Sequence, residues 1–268
     1  MQLSKRIYED YLKKSRLSYY EHLLYYAKER GYMMTGVLGF YRMLQDHDFD
    51  FTKGKKVKVL INRHDIDTSP KVAYQMFQIE QMVYGKQGST TYYFRNSTVD
   101  KKIIKEIEQY GYETGYHYEE IADYEKEHRI KNKELLFEHL PQIREKFLND
   151  LESYRSLTET QSLSIASHGD FINTKYQMQN TLILEDESTR QKSGIEVEAY
   201  DESMTKYIEA RFADQMLLEK FYGEVIRAMR QEISVIMILT HPRNWKVDII
   251  ANTKENLKRA IQGSKYRF

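Results

Sequence analysis

Four histidines of this chain each follow a short apolar run. His241 ends Ser234-Val235-Ile236-Met237-Ile238-Leu239-Thr240-His241-Pro242. Val57-Lys58-Val59-Leu60-Ile61-Asn62 leads into Arg63-His64-Asp65-Ile66-Asp67, and Tyr112-Glu113-Thr114-Gly115-Tyr116 leads into His117-Tyr118-Glu119. Leu163-Ser164-Ile165-Ala166-Ser167 leads into His168-Gly169-Asp170. Short apolar runs of this kind read as buried strands. Imidazoles and carboxylates at several strand exits predict one site at the C-terminal edge of a sheet or barrel. The chemistry such groups support is metal-assisted or general acid–base. Asp65 and Asp67 are two apart, a spacing that points both side chains to one face of a strand. Two unpaired carboxylates repel, and a bound cation removes that cost. An Asp with two His suits zinc or a similar first-row ion with an open position. The alternative is that Arg63 simply pairs with one Asp.

The elements that must position these groups follow from periodicity and punctuation. Residues 3–30 have helical spacing and end at Gly31, and residues 35–46 predict a second helix followed by a polar turn from Asp46-His47-Asp48 to Gly54. The first strand is expected at 57–63. Ser69-Pro70 opens a helix, Thr90–Arg95 is a β-branched and aromatic strand, and Asp100 caps a helix that Gly111 ends. Residues 122–154 predict charged helix interrupted near Pro141. Ile195–Tyr200 and, more weakly, Tyr207–Phe212 read as strands, residues 214–230 and 250–262 as helices. About seven strands with intervening helices predict a parallel α/β barrel or a doubly wound sheet. The expected organisation is a helical extension over residues 1–54 packed on a barrel domain over residues 55–268.

Composition bounds the function. The chain has 268 residues, 41% hydrophobic and 30% charged, so it can bury a sizeable core. A net charge of +1 gives no basic field for nucleic acid. No apolar segment is long enough for membrane insertion, and Met1–Arg6 leads into charged, Tyr-rich sequence rather than a signal core. Absence of cysteine excludes disulfides, thiolate ligands and a cysteine nucleophile. A cytoplasmic location is the expectation.

In order, Arg63-His64-Asp65-Ile66-Asp67, Gly111–Glu119, Ser167-His168-Gly169 and Leu239-Thr240-His241-Pro242 resemble the motifs of polysaccharide deacetylases. The closer likeness is to a divergent cytoplasmic branch associated with surface glycans, over roughly residues 57–245. The resemblance implies a distorted (β/α)7 barrel, a divalent metal, most simply zinc, and removal of N-acetyl groups from an amino sugar or glycan precursor. It makes Asp65 the catalytic base and His241 the general acid. Asp67 and His117 become metal ligands, with His168 as the third and Glu119 as a weaker candidate. The chain departs from the family pattern in three places. Ile66 separates the two aspartates, Ile121 stands where a second metal histidine is expected, and the family's Arg-and-Pro motif is missing, with Arg95 as a possible substitute. Asp201 is expected to orient a partner group.

Two other classes fit the residues: a non-catalytic barrel that binds glycan or a protein partner, and another metal-dependent amidase or phosphoesterase. The substrate is expected to be a small molecule or an oligosaccharide. His22, His47, His128 and His139 read as surface residues, and the charged helix as a solvated face. Trp245 reads equally as a wall of the site or as packing.

Overall fold

The computed structural model describes residues 7–46, 57–215 and 218–265. The turn around His47 and the 54/55 boundary lie outside them. The sheet is parallel throughout. Its strands are β1 (Met33–Thr35), β2 (Val59–Ile66), β3 (Thr91–Phe94), β4 (Glu113–Tyr118), β5 (Ser164–Ser167), β6 (Val197–Glu198), β7 (Ala210–Ala213) and β8 (Val235–Thr240). Seven run in the order β6-β5-β4-β3-β2-β8-β7, and β1 adds to β2 through Met33↔Val59. The seven strands curl into a half-barrel consistent with the distorted (β/α)7 barrel that the resemblance implied, and with the barrel rather than the doubly wound form of the two that the strand count predicted. The N-terminal region is therefore not helix alone, since it contributes β1.

The principal helices are α1 (Leu17–Glu29), α2 (Val37–Gln45), α3 (Pro70–Tyr84), α4 (Lys101–Gln109), α5 (Glu120–His128), α6 (Leu140–Thr158), α7 (Leu218–Arg230), α8 (Pro242–Trp245) and α9 (Ile249–Lys265). Asp100 caps α4 by accepting from Ile103 N–H, and Gly111 after it takes a positive φ of 82° that glycine adopts without steric cost. Pro141 lies in the first turn of α6, where its missing N–H costs nothing. The single helix expected over residues 3–30 is broken at 13–16. Tertiary bonds override propensity there: Arg16 N–H donates to the Trp245 carbonyl, and Asn252 donates to the Asp10 carbonyl.

Strand alternation sorts the core into two layers. Val59, Ile61, Tyr93, Ala166, Val197, Val235 and Met237 point into the barrel. Leu60, Ile66, Tyr92, Phe94, Ile165, Ile236 and Ile238 point outward under the helices. Successive residues of a strand face opposite sides, so inward parity continues to Arg63, Asp65, His117 and His241. Gly115 is required at this parity. A Cβ there would lie 2.1 Å from the Ser164 carbonyl and against the Tyr93 ring.

His64 has the opposite parity and leaves the predicted site. It is fully buried, with Nε2 2.7 Å from Glu80 Oε1 and Nδ1 bonded to Thr240 Oγ1. Glu80 also accepts from Tyr20, Asn62 and Tyr92. This hub gives both Glu80 oxygens partners and ties α1, β2, α3, β3 and β8 together, although Asn62 Oδ1 within it accepts no bond.

Candidate metal centre and acid–base pair

The inward residues converge at the C-terminal end of the barrel. Asp67 lies one residue beyond β2, His117 on β4, and His168 one residue beyond β5. His168 is fixed there by its N–H donating to the Tyr118 carbonyl at 2.8 Å. Asp67 Oδ1 lies 3.4 Å from His117 Nε2 and 3.4 Å from His168 Nε2. One ligand atom from each of the three falls within 4.8 Å of the others. Asp67 Oδ1 is buried and makes no hydrogen bond. These are the separations of ligands around a common cation. Two donors about 2.05 Å from a tetrahedral ion lie about 3.3 Å apart. The cluster is thus able to hold a metal ion.

The histidine tautomers agree with that reading. His117 Nδ1 lies 2.9 Å from the Ala166 carbonyl, to which it must donate. That donation leaves His117 Nε2 facing Asp67, able to carry a proton or to ligate a cation there. His168 Nδ1 lies 3.1 Å from Glu119 Oε2, at ion-pair distance although off hydrogen-bonding angle.

Charge accounting isolates Asp67. Arg63 grips Asp65 with two bonds, Nε to Oδ1 at 2.7 Å and Nη2 to Oδ2 at 2.8 Å. The pairing of Arg63 with one Asp therefore occurs, and it takes Asp65 alone. Arg95 grips Glu119, with Nε donating to Oε1 at 2.8 Å and Nη2 to Oε2 at 2.8 Å. Glu119 is thereby committed to Arg95 and His168, which removes it as a free ligand. Asp67 has no such bidentate partner: its ion-pair contacts are the two imidazoles, with the Arg95 charge farther off. Burial would raise its carboxyl, but His168, His117 and His241 outweigh that and hold it well below the usual carboxylate range. Burial would lower His168, but Asp67 and Glu119 raise it. A negative charge shared between two imidazoles is what a proton or a dication satisfies.

Asp65 is 3% exposed, and its Oδ2 lies 3.5 Å from His117 Nε2. Burial opposes its charge, yet Arg63 and His117 keep it ionised, below the ordinary range. The Arg63 guanidinium lies 4.7 Å from the centre of the Tyr200 ring and 5.2 Å from that of Tyr93. Tyr200 is held by Glu198, whose Oε2 accepts its N–H at 2.6 Å while Oε1 accepts from Ser167 N–H. Burial pushes Glu198 up to about 7.

His241 has a partner that sequence reasoning missed. Asp214, fully buried just beyond β7, accepts from His241 Nδ1 at 2.7 Å. Burial would lower His241, but Asp214 outweighs it, with Asp67 and Asp65 adding to the effect, and raises the imidazole to about 9. Trp245 is buried and donates Nε1–H to Asp214 Oδ2 at 2.9 Å, so it positions the acid rather than lining an open loop. The signal for Asp214 was the one used elsewhere, an acid at a strand exit. It was obscured because β7 is weakly apolar and residue 214 read as the start of a helix.

Asp201 orients no site imidazole. It pairs with Arg190 at 2.7 Å and accepts from Glu198 N–H at 2.8 Å. Ile121 is fully buried in the outer core, so no ligand stands at its position. His22 and His128 are exposed, and His139 is half-buried. No helix among the described residues is long and apolar enough to cross a membrane. No protein-family model matches the chain, and no match was found among curated proteins or solved structures.

Proposed function

We propose that this chain is a metal-dependent hydrolase of the deacetylase kind, which removes an N-acetyl group from an amino sugar or glycan precursor. The observation that carries the reading is the orphaned Asp67 Oδ1 set equally between His117 Nε2 and His168 Nε2. These three residues would hold the ion, and the mixed oxygen and nitrogen donor set suits zinc. When bound, a divalent ion supplies positive charge that polarises an acyl carbonyl and acidifies water. Asp65, kept ionised by Arg63 and adjacent to His117, accepts the water's proton. His241, kept protonated by Asp214, gives its Nε2 proton to the departing amine. Arg95 and Glu119 hold His168 in place without touching the reacting atoms.

Metal content and acetate release test the reading together. Purified protein should carry one divalent ion per chain and release acetate from an N-acetylated sugar. Metal bound without release from sugars, nucleotide sugars and small amides would overturn the deacetylase assignment. One observation favours a second reading, a barrel that binds glycan without turnover. Both Asp65 oxygens are engaged by Arg63, which weakens that carboxylate as a base. Binding of an N-acetylated sugar with no acetate released would select it.

A further inference from the structure

The exit of strand β6 carries a buried carboxylate, Glu198, that neither the metal centre nor the acid–base pair uses. β6 is two residues long, and its pairing with β5 ends at Ile165↔Glu198. Ala199 N–H closes that ladder by donating to the Ile165 carbonyl at 2.9 Å. Beyond it both strands run on toward the site, β5 through Ser167 to His168 and β6 through Ala199 to Tyr200. Buried N–H groups that leave a ladder need another acceptor.

Glu198 supplies one for both exits at once. Its Oε1 accepts from Ser167 N–H at 2.8 Å, and its Oε2 accepts from Tyr200 N–H at 2.6 Å. Bonds to an ionised carboxylate are shorter and stronger than neutral ones, so one side chain takes over where the backbone ladder stops. Asp201 braces it, accepting from Glu198 N–H at 2.8 Å while Arg190 holds Asp201.

The two donors lead to different halves of the site. Ser167 immediately precedes His168 of the candidate metal centre. Tyr200 lays its ring 4.7 Å from the Arg63 guanidinium, and its hydroxyl accepts from Arg63 Nη2 at 3.2 Å. That same Nη2 donates to Asp65 Oδ2. Tyr200 is 47% exposed and Arg63 is 1% exposed, so the tyrosine covers the ion pair that carries the candidate base.

We infer that Glu198 is a positioning residue that ties the two halves of the site together, setting the Ser167–His168 exit through one oxygen and the Tyr200 cover over Arg63 and Asp65 through the other. The inference rests on the proposed hydrolase reading for the roles of His168 and Asp65.

Two readouts on the full chain, neither of which needs turnover, test it. Both are taken at about pH 8, where the carboxyl that burial pushes up to about 7 is ionised. Zinc affinity, measured by competition with a chelator, reads the His168 half. Solvent exchange of the Arg63 Nε–H, measured by NMR, reads the Asp65 half. Glu198→Gln keeps the side-chain volume but sets an amide NH2 against one of the two N–H donors. Zinc affinity should fall about tenfold, and Arg63 exchange should quicken about tenfold. Tyr200→Ala should quicken Arg63 exchange as much while leaving zinc affinity within about twofold of the parent. In the double variant Arg63 should exchange no faster than in Tyr200→Ala alone, because Glu198 reaches Arg63 through Tyr200, and zinc affinity should match that of Glu198→Gln. A merely structural loss would move both readouts in both variants and would add in the double variant. That pattern, or either readout unchanged in Glu198→Gln, would overturn the inference. A check on the parent protein stands even if Glu198→Gln fails to fold. The Ser167 and Tyr200 amides should exchange about tenfold or more slower than in a free peptide, and unprotected amides would overturn the inference. Zinc binding without acetate release would end the deacetylase reading and leave this inference standing.

Discussion

Asp214 accepts two hydrogen bonds from one residue, His241: from ring Nδ1 at 2.7 Å and from the backbone N–H at 2.8 Å. The carboxylate thus fixes the ring's position, its tautomer and its charge together. Trp245 completes the clamp from the far side of α8.

That clamp makes stability depend on pH in a definite direction. The folded pKa of His241, about 9, lies above its ordinary value. The pair's contribution is therefore complete below the ordinary value near 6.5 and is lost as pH rises through 9. Asp214→Asn should cost on the order of 3 kcal/mol at about pH 6. The deficit should shrink substantially by about pH 9.5. Urea unfolding of metal-free protein at both pH values reads this, and a deficit that grows with pH would contradict it.

Asp65→Asn should remove turnover while leaving metal bound, because Asp67, His117 and His168 are untouched. The structure adds a second consequence. Arg63 is 1% exposed and would lose its only bidentate counter-charge. A loss on the order of 3 kcal/mol is expected on breaking such a buried pair. A variant as stable as the parent would contradict the ion-pair account.

His241→Ala should slow an N-acetylated sugar far more than an aryl acetate. An amine leaving group needs the proton, and a phenolate does not. Equal loss of kcat/KM on the two substrates would remove His241 from the general-acid role.

Much of this arrangement was legible because strand parity is strict. Asp67, His117, His168 and His241 were marked by apolar runs that end at the same sheet edge. His64 was misplaced because its position at a strand exit was noted without its parity relative to Asp65. Asp214 was lost because β7 has too few apolar residues to stand out. The break at residues 13–16 was invisible because its cause is long-range bonding to Trp245 and Asn252. The register β4↔β5, which puts His117 beside Ala166, likewise follows from packing rather than from local sequence.

Gly115 links that packing to the site. Gly115→Ala places a Cβ 2.1 Å from the Ser164 carbonyl, so β4 and β5 must separate next to His117. A destabilisation of about 1–3 kcal/mol is expected from such overpacking. Weaker metal binding should accompany it, measured by competition with a chelator. Unchanged metal affinity would show that the β4–β5 spacing does not set the ligand geometry.

Anomalous scattering from a crystal at the zinc edge tests the central claim most directly. A peak is expected between Asp67 Oδ1, His117 Nε2 and His168 Nε2, at about 2.0–2.2 Å from each, and it should vanish in His117→Ala. A metal-loaded crystal with no peak among these three atoms, or a peak that survives His117→Ala at full height, would contradict the account.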